Sequence, residues 1–138
     1  MVLLIDSDVL IDFLIGREPF TKDAEEIVKK SKEKTISAFL APHSITNIYY
    51  ILRKTAPAPE RRQSLLDLCQ SIPVVEIGHE MIVKALANNE FKDFEDCLQA
   101  ECARAVNADY IVTRNIEDYG YSKVPAILPE NLLKRLEK

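Results

Sequence analysis

A chain of 138 residues with 47% hydrophobic and 29% charged residues has the balance of an ordinary globular protein and the length to bury a core. Its net charge of −4 speaks against a nonspecific nucleic-acid binder, which advertises itself by a protein-wide basic field, but leaves room for an enzyme that meets phosphate through metal ions. The three cysteines, Cys69, Cys97 and Cys102, are odd in number and form no CxxC pair, which points away from a disulfide framework or zinc site and toward buried free thiols in a reducing cytosol.

The apolar start carries Asp6, Asp8 and Asp12 and no basic lead, so it does not read as a signal peptide. No apolar run approaches the roughly 20 residues of a membrane span. The expectation is one cytoplasmic domain over residues 1–138, with no membrane association.

Val2–Ile5 is a continuous apolar run, as expected of a buried parallel strand. A helix follows over about Asp8–Leu14, and Gly16 stops it. After Arg17-Glu18-Pro19-Phe20, Thr21 has the chemistry of an N-cap for a helix to about Lys32, with Ala24, Ile27 and Val28 inward and a basic end that suits the helix dipole. Thr35–Leu40 is rich in strand formers.

Past Pro42 a helix is expected over about Ser44–Arg53, broken by Pro57 and Pro59. Another covers about Glu60–Ser71, with Leu65, Leu66, Leu68 and Cys69 inward. Val74–Ile77 reads as a strand and Glu80–Asn88 as a helix. Phe94–Val106 carries apolar residues near helical spacing behind Asp93 as N-cap. Tyr110–Val112 and Ala126–Leu128 are the last strands, and Pro129 opens a final helix at the first-turn position proline favours. Strands alternating with helices predict a parallel sheet with helices on both faces and right-handed crossovers.

In such sheets, sites form beyond the carboxyl ends of the strands. Asp6 ends the first strand there, and Asp8 lies two residues on. Asp93 and Asp96 open a helix three residues apart, which puts them on neighbouring parts of one face. Thr113, Asn115 and Asp118 follow the end of the Tyr110–Val112 strand. Carboxylates brought together repel unless a cation, donor or proton separates them. Several carboxylates with a hydroxyl and an amide, and no histidine among them, have the chemistry of a Mg²⁺ or Mn²⁺ site, of the kind that acts on phosphates. Asp12 reads as a solvated helix residue, His43 and His79 as capping or surface residues, and Tyr49-Tyr50 as core and rim. Arg53, Lys54, Arg61 and Arg62 read as solvated charges with the means to help hold a polyanion.

These residues stand in segments that resemble the PIN-domain family of metal-dependent ribonucleases. LLIDSDVLIDFL is similar to its opening strand, with Asp6 as the first catalytic aspartate. REPF, Arg17–Phe20, and SITNIYYILRK, Ser44–Lys54, look like one prokaryotic subfamily. DFEDCLQAECA resembles the segment with the next catalytic aspartate, Asp96, and Asp93 beside it; ADYIVTRNIEDY resembles the closing motif of Thr113, Asn115 and Asp118; VPAILPENLL also fits.

Two positions depart from the family pattern. Asn47 stands where many members have glutamate, and Asn115 where many have aspartate.

The resemblance implies a three-layer α/β/α sandwich with a central parallel sheet of four or five strands. It also implies an endoribonuclease that is the toxin of a VapC-like type II toxin–antitoxin pair. Such a protein uses Mg²⁺ or Mn²⁺, cuts RNA, forms a homodimer and is inhibited by an antitoxin protein. On this reading Asp6 and Asp96 hold the metal, Asp93 and Asp118 complete or orient its shell, and Thr113 and Asn115 hydrogen-bond water or phosphate.

Two other functions are set against it. One is a catalytically degenerate PIN domain, marked by Asn47, that binds RNA or a protein without cutting. The other is a haloacid-dehalogenase-like phosphatase, in which Asp6 of Asp6-Ser7-Asp8 becomes phosphorylated; Leu10 departs from that motif.

Overall fold

The computed structural model describes residues 1–137. Four parallel strands, β1 (Val2–Ile5), β2 (Ser37–Phe39), β3 (Tyr110–Val112) and β4 (Ala126–Ile127), form one sheet in the order β2-β1-β3-β4. Seven helices surround it among the described residues: α1 (Ser7–Ile15), α2 (Thr21–Lys32), α3 (Pro42–Ile51), α4 (Ala58–Ser71), α5 (His79–Ala87), α6 (Phe94–Ala105) and α7 (Pro129–Leu136). Short 3₁₀ turns follow α3 (Leu52–Lys54) and β3 (Ile116–Tyr119).

β1 is central, and its apolar run is buried because both faces are covered. Leu3 and Ile5 pack into one core with Val9 and Leu10 of α1, Ile27 of α2, Ile48 of α3, Leu68 of α4 and Leu132 of α7. Leu4 points the other way, into a second core with Ala100, Cys102 and Ala103 of α6. This alternation along one strand is the three-layer α/β/α arrangement. The chain crosses from β1 to β2 on one side and returns to β3 on the other, so the switch point of the sheet lies between β1 and β3. α1 ends where expected: Gly16 takes a left-handed conformation, φ +68°, and donates its N–H to the Asp12 carbonyl.

Several boundaries differ from the sequence reading. Val74–Ile77 is not a strand. It makes one isolated bridge, Val74 to Leu40, because β2 runs out as the chain turns into α3, and Pro73 contributes only its carbonyl, to Leu40 N at 3.0 Å. The Thr35–Leu40 strand shortens to Ser37–Phe39. α1 starts one residue earlier, capped by Asp6, and Phe20 rather than Thr21 precedes α2; Thr21 is buried inside the helix. The helix expected over Ser44–Arg53 starts two residues earlier and tightens into the 3₁₀ turn at Leu52. α4 starts at Ala58, and Leu66 faces solvent, 60% exposed. Phe94 is exposed as well. Cys97 and Cys102 are buried free thiols, whereas Cys69 is half-buried. No helix among the described residues is long and apolar enough to cross a membrane.

Candidate active site

The carboxyl ends of β1 and β3 meet at a cavity of about 200 Å³. Asp6, directly after β1, caps α1: its Oδ1 accepts the Ser7 N–H at 2.7 Å. Its Oδ2 accepts the Thr113 hydroxyl at 2.8 Å and the Tyr119 hydroxyl at 3.1 Å. Burial and the nearby Asp6 push the Tyr119 phenol far up, which keeps it a donor.

Asp8 faces the same cavity from the first turn of α1. Its Oδ2 accepts Asn115 Nδ2 at 3.0 Å and, more distantly, Arg114 N at 3.4 Å; its Oδ1 is buried without a partner among the described residues. Burial, then the charge of Asp6, pushes the Asp8 carboxyl up to about 7 against the pull of Arg114. Asp96 reaches in from α6. Burial, followed by the charges of Asp93, Asp118, Asp6 and Glu95, pushes it up to about 7 too.

Asp6, Asp8, Glu95, Asp96 and Asp118 thus line one cavity that no lysine or arginine among the described residues lines. Larger hollows of about 380, 600 and 270 Å³ gather two carboxylates, none and none. As the side chains stand, no three His, Cys, Asp or Glu among the described residues are close enough together to hold a metal ion.

Of the other expected residues, Asp93 is exposed outside the cavity lining and caps α6, its Oδ1 accepting the Asp96 N–H at 3.0 Å. Asn47 lines the cavity and donates its Nδ2 to Ser7 Oγ at 3.1 Å. Thr113 was expected to meet water or phosphate. Instead it is fully buried, donating to Asp6 and accepting the Asn115 N–H at 3.0 Å. Asn115 is likewise directed at Asp8.

Some residues escaped the sequence reading. Asp12 is not solvated: it is 1% exposed and takes a two-pronged bond from Arg114, at 2.8 Å from Nε and 3.2 Å from Nη2. The Arg114 guanidinium also stacks 4.1 Å from the Phe20 ring centre. This lock ties the turn after β3 to α1, and so Asn115 to Asp8. His43 is half-buried: it lines the cavity, its Nδ1 is buried with no partner among the described residues, and burial lowers its pKa. Gln99, one turn beyond Asp96, is 2% exposed, and neither of its amide atoms has a partner among the described residues. Its i+3 spacing from Asp96 was the available signal.

The chain belongs to the PIN-domain family: the family model described as PIN domain matches residues 2–117. Its fold is similar to that of PAE2754 from Pyrobaculum aerophilum, at 19% identity and TM-score 0.67 over 99% of this chain and 96% of that one. It is also similar to VapBC2 from Rickettsia felis, at 15% identity and TM-score 0.63 over 93% and 97% of the two chains. VapC20 of Mycobacterium tuberculosis matches at 10% identity and TM-score 0.62 over 79% and 86%. At these identities the likeness is one of fold. No curated protein matches the chain.

Proposed function

We propose that this PIN domain is a metal-dependent endoribonuclease and the toxin of a toxin–antitoxin pair. The observation that carries the reading is the cavity at the switch point, where five carboxylates converge with no lysine or arginine among the described residues. Two of them, Asp8 and Asp96, are pushed up to about 7 by burial and by other nearby carboxylates, and one carboxylate oxygen, Asp8 Oδ1, is buried without a partner among the described residues. A hard, oxygen-preferring cation answers all three conditions, so the donor set fits Mg²⁺ or Mn²⁺ in its chemistry. No three of them are close enough together among the described residues to hold an ion as they stand, so binding one would need them to draw together.

Asp6, Asp8, Asp96 and Asp118 would hold the ion, with Asn47 offering its amide oxygen. The bound ion supplies charge neutralisation on the phosphoryl group and acidifies water. The chain's own residues do the positioning. Thr113 and Tyr119 fix the Asp6 carboxylate from two sides, and Asn115 orients Asp8. Asp93 holds the first turn of α6 so that Asp96 faces the cavity.

Among the proteins of similar fold, VapC20 is a sarcin–ricin loop cleaving toxin, and VapBC2 is bound to a fragment of promoter DNA. They support RNA as the substrate class and an antitoxin as the partner here; a homodimer remains part of the same proposal.

The test is cleavage of a mixed single-stranded RNA pool with Mn²⁺ or Mg²⁺, run beside EDTA and Asp96→Asn reactions. Cutting that both controls abolish, with the variant still folded, is the expected result; full activity in Asp96→Asn would refute the assignment. A second reading, a binding module that does not cut, is favoured by the amide at Asn47. Calorimetric Mn²⁺ titration separates the two, since weak or absent binding belongs to the second. The phosphatase reading keeps no support, because the family is a different one.

A further inference from the structure

α3 contributes Ser44 and Asn47 to the acidic cavity and then runs away from it into a cluster of cations. Between Ser44 and Leu66 the chain has four basic residues, Arg53, Lys54, Arg61 and Arg62, against one acid, Glu60, in a protein whose net charge is −4. Among the described residues none of the four forms an ion pair, whereas Arg17, Lys30, Lys84, Arg104 and Arg114 all do.

Two of the four are held in place by other means. The Arg53 guanidinium lies 3.7 Å from the Tyr50 ring centre and donates to the Tyr50 carbonyl at 2.9 Å. Arg61 lies 4.3 Å from the Tyr49 ring centre and donates to the Tyr49 and Ala56 carbonyls, each at 3.1 Å. An arginine fixed in this way keeps further N–H groups for a ligand and has less side-chain freedom to lose on meeting one. Tyr50 is 60% exposed, and it follows Asn47 by three residues on α3. Asn47 and Arg53 are about 9 Å apart along the helix axis, at 1.5 Å per residue.

We propose that the end of α3 and the start of α4 form a docking track for single-stranded RNA leading out of the cavity. Arg53, Lys54 and Arg62 meet its phosphates, and Tyr50 stacks on a base. The ligand is taken from the nuclease reading, on which this track rests. The pairing of unneutralised cations with an exposed aromatic ring fits this partner: cations follow the backbone of a single strand, and the ring accepts a base without reading its sequence. The track also answers an electrostatic difficulty, since an acidic cavity on an acidic protein repels a polyanion unless a basic surface beside it draws the strand in.

The experiment is fluorescence anisotropy of a labelled, mixed-sequence single-stranded RNA, in EDTA, over a range of salt. The proteins are the wild type, Arg53→Gln/Lys54→Gln, Tyr50→Leu, and a control, Lys29→Gln/Lys32→Gln, at exposed positions of α2. Removing the two cations should weaken binding about tenfold and lower the slope of log K against log salt by about 1.4, at about 0.7 per phosphate contact on a single strand. Tyr50→Leu should weaken binding about tenfold with the slope unchanged. The control should match wild type.

In Mn²⁺ the same patch variants should raise KM for RNA and leave kcat unchanged. Wild-type affinity and slope in the patch variants overturn the track, and cleavage by the wild type in that case keeps the nuclease reading. Patch-dependent binding by a protein that cuts no RNA keeps the track and overturns the nuclease. If the wild type binds no RNA in EDTA, the track falls, and cleavage in Mn²⁺ alone decides the nuclease reading. If the variants alter only the sedimentation of the free protein, the surface joins copies of the chain and the track is wrong.

Discussion

Arg114→Ala should cost about 3 kcal/mol of folding stability, read as a lowered urea midpoint, because removing one partner of a buried ion pair strands the other charge. For a chain of this length that corresponds to a fall in Tm of roughly 10 °C. Asp12 is the charge left behind, 1% exposed at the base of α1. Its remaining cation, Arg17, stands 3.5 Å away on a side chain that is 42% exposed, so its hold is screened by water. The variant also uncovers the Phe20 ring on which Arg114 stacks.

The second half of the expectation separates a stranded charge from a packing defect. Asp12→Leu/Arg114→Met removes both charges and should recover most of the loss, since well-packed apolar replacements for a buried pair are often neutral or better. A loss below about 1 kcal/mol in the single variant would mean that Arg17 suffices. An equal loss in the double variant would mean that the lock works through shape rather than charge.

That lock shows where the sequence was readable and where it was not. β1 was legible because four consecutive apolar residues need cover on both faces, and Gly16 because a helix end needs a left-handed residue. Asp6 and Asp96 were legible as candidates because they fall at a strand end and a helix start, and Asp118 because it follows the end of β3; parallel topology carries those positions to one edge. Val74–Ile77 misled because strand-like composition says nothing of the partner's length, and β2 ends one residue before Leu40. Leu66 misled more simply: adjacent leucines on a helix point about 100° apart, so Leu65 and Leu66 cannot both face one core.

Asp12 was illegible for a deeper reason. Its partner lies 102 residues away, and no local pattern distinguishes an acid on a solvated face from one awaiting a distant arginine. Tyr119 bonds Asp6 across 113 residues and was hidden in the same way. The depth of His43 likewise follows from how α3 seats against the cavity rather than from its neighbours in sequence.

In EDTA, the carboxylate cluster should make the protein less stable as pH rises from 5 to 7.5, and Mn²⁺ should reverse that loss at the upper pH. The sign follows from Asp8 and Asp96, each pushed up from 3.8 to about 7. A carboxyl whose folded pKa exceeds its unfolded value binds its proton more tightly in the fold. Its contribution is fully present below about 3.8 and is lost as pH climbs to about 7. His43 works the other way: its lowered pKa favours the fold as pH rises through the ordinary histidine range.

Other carboxylates also titrate, so the telling quantity is a difference. Asp8→Asn/Asp96→Asn should gain stability over wild type by several degrees in Tm between pH 5 and 7.5 in EDTA. Mn²⁺ at about 100 times its dissociation constant should then add about 2.7 kcal/mol to the wild type at pH 7.5. It should add much less at pH 5, where protons hold the same oxygens, and little to the double variant. Parallel melting curves for the two proteins in EDTA would show that burial costs these carboxylates no stability. A Mn²⁺ effect of equal size in both proteins would move the ion away from Asp8 and Asp96. Because nothing in this measurement depends on turnover, it tests the cation at the cavity whether or not the protein cuts RNA.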